Sequence, residues 1–213
     1  MLGAPGAGKG TQAQLLEKRL GLPHVGSGDL LRRAIAAGTD VGRLAKGYME
    51  KGALVPDEVV VRMILDRLDE PDASDGAILD GFPRTSAQAE ALDAALAGRA
   101  HDAVAVYIHV SPEELHRRLS GRWMCRAEGH VYHETQSPPL VPGICDIDGS
   151  RLEQRPDDRP ATVRARLDKQ LPALYEVADY YAERGRLHTV NGEKPIGEVT
   201  QALARAVPEV AAP

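Results

Sequence analysis

Met1-Leu-Gly-Ala-Pro-Gly-Ala-Gly-Lys-Gly-Thr11 opens the chain, and its reading decides the fold. Gly3, Gly8 and Lys9 have the spacing of a loop whose backbone N–H groups wrap phosphate oxygens while the lysine reaches the terminal phosphates. Glycine suits such a loop because the chain visits angles that a Cβ forbids and must approach its ligand closely. A helix predicted over Lys9–Arg19 then points its positive N-terminal end at the same phosphates. The residue after the lysine is Gly10, with Thr11 one place later, so the hydroxyl that usually ligates magnesium is displaced. Any magnesium ion would need nucleotide oxygens, water and a carboxylate from further along the chain.

Such a loop normally follows a central strand, and only Met1 and Leu2 precede Gly3. Losing a central strand would unpair its neighbours' backbone groups, so the expectation is a reading frame that begins upstream of Met1. The 213 residues suffice for one sizeable core with inserted lobes. Apolar content of 43% and charged content of 27% are those of a globular protein. The formal charge of −5 argues against a general nucleic-acid binder, so any phosphate site must be local. No apolar run reaches the length of a membrane span, and Met1 starts no basic-then-apolar leader, which predicts a cytoplasmic protein. Two cysteines, Cys125 and Cys145, are too few for a disulfide framework.

Apolar runs alternate with helical patterns, the signature of a parallel sheet covered by helices on both faces. Candidate strands are Leu22–Val25, Ala77–Leu79, Ala103–Val110 and Leu187–Val190. Predicted helices span Asp29–Ala37, Val41–Lys51, Pro56–Leu68, Ser86–Leu96, Pro112–Arg122, Ala161–Glu183 and Ile196–Ala206, with Ser111 and Asp57 as capping residues. From Gly121 to Asp158 the chain turns rich in Gly, Pro and short polar turns. A structureless loop of that length is uncommon in a compact domain, so a small β-rich lobe is expected, placed to act as a lid.

Asp80-Gly-Phe-Pro-Arg84 follows the second candidate strand. Asp80 then sits at the carboxyl end of a parallel strand, where ligands bind in open α/β sheets. A carboxylate there suits a water-mediated magnesium contact, and the planar fork of Arg84 suits a phosphate. Ser27-Gly-Asp-Leu-Leu-Arg32 enters a helix after the first candidate strand and offers Arg32, with Asp29 serving the helix start. Arg118 and Arg122, four apart, are expected on one helix face, Arg155 lies at the far end of the lobe, and Arg166 follows on a helix. Converging arginines are what phosphoryl transfer requires, because its transition state spreads negative charge over equatorial oxygens. Solvated roles are expected for Arg117, Arg126, Arg159 and Arg164. Cys125-x-x-Glu128 and Cys145-x-x-Asp148 have paired ligand spacing, which leaves a structural zinc and a hydrogen-bonded polar knot both open. His130 and His133 are spare ligands nearby that read first as surface or turn residues.

Gly3 to Thr11, Ser27 to Arg32, Asp80 to Arg84, Gly121-Arg122 and Arg155 to Asp158, in that order, resemble adenylate kinase of the long-lid bacterial type. The resemblance implies a doubly wound P-loop kinase domain over 1–213 with a monophosphate-binding lobe (26–55) and a lid (121–158). It implies a monomer performing ATP + AMP ⇌ 2 ADP with Mg²⁺. Gly6, Ala7, Gly8, Lys9, Gly10, Thr11, Arg118, Arg122 and Lys194 would hold ATP, with Asp80 reaching magnesium through water. Ser27, Arg32, Ala53, Leu54, Val55, Gly81, Arg84, Gln88, Arg155 and Arg166 would hold AMP. Lys9, Arg84, Arg122, Arg155 and Arg166 would be catalytic. The four lid positions that differ between zinc-containing and zinc-free relatives read Cys125, Glu128, Cys145 and Asp148 here, so the resemblance does not settle zinc.

Two other readings remain at this stage: a kinase for another nucleoside monophosphate, and a nucleotide-binding protein without turnover. A GTP switch is disfavoured, because its base-reading Asn-Lys-x-Asp is absent and the only asparagine is Asn191.

Overall fold

Two parallel strand pairs make the main sheet. One joins β1 (His24–Gly26) to β2 (Ile78–Asp80), and the other joins β3 (Ala105–His109) to β7 (Leu187–Asn191). Met1 and Leu2 lie between the pairs. The Met1 nitrogen donates to Leu79 O at 2.6 Å, Leu2 N–H to Val106 O at 2.8 Å, and Ile108 N–H to Leu2 O at 2.9 Å. Two residues thus occupy the central slot and keep backbone groups of both neighbours paired, against the expectation that so short a segment would strand them. The computed structural model describes residues 1–98, 102–155, 158 and 160–207, with the side chains of 160 and 161 excluded. Arg159 lies outside them.

Each strand is short and apolar because helices cover it on both faces. The largest cluster joins Leu2, Leu16, Val106 and Ile108 to Leu115, Leu119, Val177 and Leu203. It packs α1 (Lys9–Leu20), α6 (Pro112–Ser120), α7 (Pro160–Ala182) and α8 (Ile196–Ala206) against the sheet. A second cluster holds Val25, Leu31, Ala45, Val55, Ile64, Phe82 and Leu92. It seats α2 (Ser27–Ala36) and α3 (Asp40–Met49) beside α4 (Asp57–Leu68) and α5 (Ser86–Ala97).

The predicted elements are present, with two corrections. The α6 helix stops at Ser120, and Arg122 opens β4 (Arg122–Cys125), so Arg118 and Arg122 do not share a helix face. After Gly121 the pattern changes from helical to alternating, and pairing with β5 (Val131–His133) and β6 (Leu152–Glu153) takes over. This antiparallel sheet is the expected β-rich lobe, and Cys125, Tyr132, Cys145 and Leu152 form its core. Asp57 and Ser111 do not cap: Asp57 lies inside α4, and Ser111 stands at the N-cap of α6 without a side-chain bond. Thr39 and Thr85 do, accepting from Gly42 N–H at 3.0 Å and Gln88 N–H at 3.2 Å.

Gly42 sets how closely α2 and α3 pack. A Cβ there would lie 2.1 Å from Ala34 O and 2.3 Å from Ala34 C. Both are backbone atoms, so the helices themselves would have to part. Gly42→Ala is therefore expected to destabilise by about 1–3 kcal/mol, and each kcal/mol lowers Tm by roughly 2–4 °C at this chain length. A melting curve that matched wild type would show that the crossing tolerates a methyl group.

Candidate active site

The first loop runs under the sheet's carboxyl edge. Gly6 and Gly8 have φ of 86° and 90°, a region that L side chains rarely adopt. Gly6 also touches α6, since a Cβ there would lie 2.9 Å from Leu119 Cγ. Lys9 donates from Nζ to Gly3 O at 2.8 Å and Ala4 O at 3.0 Å, closing the loop on itself. Burial disfavours its charge, and Asp80 only partly compensates against Arg84, Arg166 and Arg122. The ammonium is thereby pushed down to about 8.

Asp80 ends β2 facing the first turn of α1, where a Cβ on Gly10 would lie 3.4 Å from its Oδ2. Its partner is His24, with Nε2 3.2 Å from Oδ2. Burial works against the Asp80 charge, but His24 and Lys9 overcome it and hold the carboxyl at about 2. Burial likewise opposes the charge on His24, yet the Asp80 bond raises it above the usual 6.5. The carboxylate is therefore ionised and close to the phosphate loop, a placement that fits a water-mediated magnesium contact.

Two cavities meet beside this loop. The first is lined by Ser27, Gly28, Arg32, Ala53, Leu54, Val55, Arg84, Gln88, Arg166 and Gln170, among others. The second is lined by residues including Met1 to Pro5, Lys9, Gly81, Pro83, Leu54, Arg84, Arg166 and Gln170. Leu54, Arg84, Arg166 and Gln170 line both, so the two lie side by side. Arg84 donates from Nε to Gly81 O at 2.6 Å, and Ser27 donates from Oγ to the same carbonyl at 2.6 Å.

Arg122 and Arg166 converge on Asp158, whose side chain is fully buried. Arg122 donates from Nε and Nη2 at 2.7 and 2.6 Å, and Arg166 from Nη1 at 3.1 Å. Arg155 Nη2 lies 3.6 Å from Asp29 Oδ1, which also accepts from Arg32. Burial opposes the Asp29 charge, yet Arg32 and Arg155 keep its carboxyl below the ordinary value. Asp29 thus faces the arginines as well as starting α2.

Arg118 and Lys194 stand outside both cavities. Arg118 donates from Nη2 to Gly192 O at 3.0 Å, at the turn between β7 and α8 that carries Lys194. Gln12 Nε2 donates to Ile196 O at 3.1 Å and ties that turn to α1. Arg117 and Arg164 are exposed as expected, and Arg126 is exposed 3.6 Å from Glu153.

In the lobe, Cys125, His130, Cys145 and Asp148 bring one ligand atom each within 4.8 Å of one another. Glu128 is not among them. Gly129, with φ of 74°, turns the chain so that Cys125 N–H bonds His130 O at 2.8 Å. That turn aims the Glu128 N–H, not its carboxylate, at Cys125 Sγ, 3.2 Å away, and puts His130 Nδ1 3.4 Å from Cys145 Sγ. Of the residues with paired ligand spacing, Cys125, Cys145 and Asp148 come together, and His130 stands with them in place of Glu128. His133 points elsewhere, 3.2 Å from Arg117 O.

Sequence reasoning also missed His24, Asp57 and Gln170. No local pattern marks them, since strand register and helix docking alone bring them to the site. Gln170, on α7, donates to Gly52 O at 3.1 Å.

Comparison with known proteins accounts for this arrangement. The family model described as adenylate kinase matches residues 1–186. The chain belongs to the adenylate kinase family. An adenylate kinase of Listeria innocua is 46% identical over 201 residues, covering 93% of each chain. One of Staphylococcus aureus is 47% identical over 203 residues, covering 94% of each. Family membership matches the α/β architecture above, and among the described residues no helix is long and apolar enough to cross a membrane.

The His24–Asp80 pair has a defined pH signature. Because His24 is raised, its contribution to stability is complete below 6.5 and disappears as pH rises through its folded value. Because Asp80 is depressed, its contribution is complete above 3.8 and is lost as pH falls through about 2. His24 should titrate above 6.5 by NMR in wild type, and Asp80→Asn should drop it below that value. An unmoved titration in the variant would mean that Asp80 is not the partner.

Proposed function

We propose that the chain transfers a phosphoryl group reversibly between ATP and AMP, giving two ADP. The observation that carries this reading is the pair of adjacent cavities sharing Leu54, Arg84, Arg166 and Gln170. One is lined by Met1 to Pro5 and Lys9 at the phosphate loop and the other by residues of the α2–α3 lobe, which supports donor and acceptor phosphates meeting beside Lys9. Family membership and the names of the relatives support the same chemistry.

In this reading Gly6 to Thr11 hold the ATP phosphates, while Arg118, Arg122 and Lys194 border the nucleotide. Ser27, Arg32, Gly81, Arg84 and Gln88, with backbone from Ala53 to Val55, hold AMP. Lys9 leaves the Gly3 and Ala4 carbonyls for the terminal phosphates, which restore the charge that burial opposes. An AMP phosphate oxygen attacks the γ-phosphorus, the bond to the β-phosphate oxygen breaks, and ADP leaves with the electron pair. Arg84, Arg122, Arg155 and Arg166 stabilise the charge on the equatorial oxygens. Asp80 would hold magnesium through water, and the ion would supply charge neutralisation to the phosphates. Residues 26–55 act as the monophosphate lobe and 121–158 as the lid that excludes water. A single chain supplies both cavities, which supports a monomer, and the soluble nucleotides it uses support a cytoplasmic setting.

The lid knuckles support a structural metal as well. The 3.3 Å separation of His130 Nδ1 from Asp148 Oδ2 is near a tetrahedral edge, while the 2.9 Å from Cys125 Sγ to Asp148 Oδ2 is a hydrogen bond that metal binding would replace. Zinc bonds to such ligands at about 2.0–2.3 Å.

The test is turnover with ATP, Mg²⁺ and each of AMP, GMP, CMP and UMP. AMP is expected to be preferred, and preference for another base would change the substrate. Lys9→Ala and Arg84→Ala should each lower kcat by about 10²–10³-fold in a folded protein, and near-full activity in either would misplace the site. For the lid, purified protein should carry one zinc, lost in Cys125→Ser and His130→Ala but kept in Glu128→Ala. A metal-free wild type, or loss only in the glutamate variant, would reject this ligand set.

A further inference from the structure

Asp57 lies at the start of α4, facing the start of α5. Its Oδ2 accepts from the Thr85 hydroxyl at 2.7 Å, and its Oδ1 accepts from Gln88 Nε2 at 2.8 Å. The other end of the Gln88 amide is also engaged, because Oε1 accepts from the Arg84 backbone N–H at 2.8 Å. Gln88 is 1% exposed and lines the cavity of the α2–α3 lobe.

The chemistry of these partners removes a freedom that glutamine normally has. A carboxylate only accepts and a backbone N–H only donates. With one on each side, only one orientation of the amide satisfies both, and turning it over would set donor against donor and acceptor against acceptor. A primary amide has two hydrogens and two carbonyl lone pairs. One of each is spent within the protein, so one N–H and one lone pair remain for a ligand, in a fixed spatial order.

We propose that Asp57 is a specificity-determining positioning residue: by locking the Gln88 amide, it makes the pocket read the 6-position of a purine monophosphate. Adenine presents an acceptor at N1 and a donor at its 6-amino group. Hypoxanthine, the same ring with a 6-oxo group, presents a donor at N1 and an acceptor at O6. A freely turning amide satisfies either edge equally. A locked amide satisfies one and leaves buried polar groups opposed in the other, which is the kind of mismatch that gives strong discrimination. Thr85 reinforces the lock, because its hydroxyl both bonds Asp57 and accepts the N–H of Gln88 at 3.2 Å. Asp57 itself does not line the cavity, so it acts through Gln88.

The inference rests on the AMP-acceptor reading, and the experiment separates the two. kcat/KM is measured with ATP and Mg²⁺ for AMP and for IMP, in wild type, Asp57→Ala, Asp57→Ser and Asp57→Asn. Alanine and serine remove the acceptor from Gln88. Serine retains a polar group in the first turn of α4, which guards against loss of the helix start. Asparagine can still take the Nε2 hydrogen on its oxygen. The expected result is an AMP-over-IMP preference that falls about tenfold or more in the alanine and serine variants. KM for AMP should rise, IMP should gain, and KM for ATP should hold, while asparagine keeps most of the preference. A merely structural role would instead depress both acceptors alike. A wild-type ratio in either folded variant, or equal losses for AMP and IMP, overturns the lock while leaving the acceptor reading intact. A wild type without AMP preference overturns the acceptor reading itself.

Discussion

Like charges gathered in one place are the constraint around which this molecule is organised. Lys9, Arg84, Arg122 and Arg166 lie close enough to lower the Lys9 ammonium to about 8 together with burial. Such a cluster persists only because each cation is held elsewhere. Lys9 rests on two carbonyls of its own loop, Arg84 on Gly81 O, and Arg122 and Arg166 on Asp158. A buried carboxylate shared by two arginines is costly to break, by about 3–5 kcal/mol when one partner is removed. These cations are thus held in place by the protein's own carbonyls and carboxylate. That is preorganisation of the kind electrostatic catalysis depends on.

The sheet serves this arrangement by bringing three loop ends to one edge. The loop after Leu2, the start of α2 after Gly26, and the Gly81 turn after Asp80 all leave the same side of neighbouring parallel strands. α7 then closes the site from behind, with Arg166 and Gln170 on consecutive turns lining both cavities. Lys169 Nζ donates to Lys51 O at 3.0 Å and Gln170 to Gly52 O at 3.1 Å, so the same helix also anchors the α2–α3 lobe.

Residues tied to local backbone chemistry were legible in the sequence. Gly8-Lys9 and Asp80-Gly81 announce themselves because a phosphate loop and a strand-end turn each demand particular residues at fixed spacing. Residues that act through tertiary register were not. His24 meets Asp80 only because β1 pairs His24 with Ile78 and Gly26 with Asp80. The end of α6 was misplaced because Gly121 can stand inside a helical pattern as well as end one. In the β-rich lobe the cysteine spacing is a local fact, whereas the approach of His130 rather than Glu128 to the two thiols depends on the positive φ of Gly129. Asp57 was read as a cap because Pro-Asp-Glu at a helix start suggests one, and its engagement with α5 is a packing fact.

Among the described residues, the lobe built from β4, β5 and β6 has a core of only Cys125, Tyr132, Cys145 and Leu152, separate from the two larger clusters. So small a core supplies little hydrophobic stabilisation of its own. Without a bound metal the lobe is expected to form a separate cooperative unit at the low end of the molecule's local stabilities. On warming, its amides exchange with solvent while those of the central sheet stay protected. Arg122, at the start of β4, is then released from Asp158 before the sheet gives way. Turnover would fail ahead of global unfolding, and the temperature ceiling of the catalyst would be set by the weakest lobe and not by the sheet.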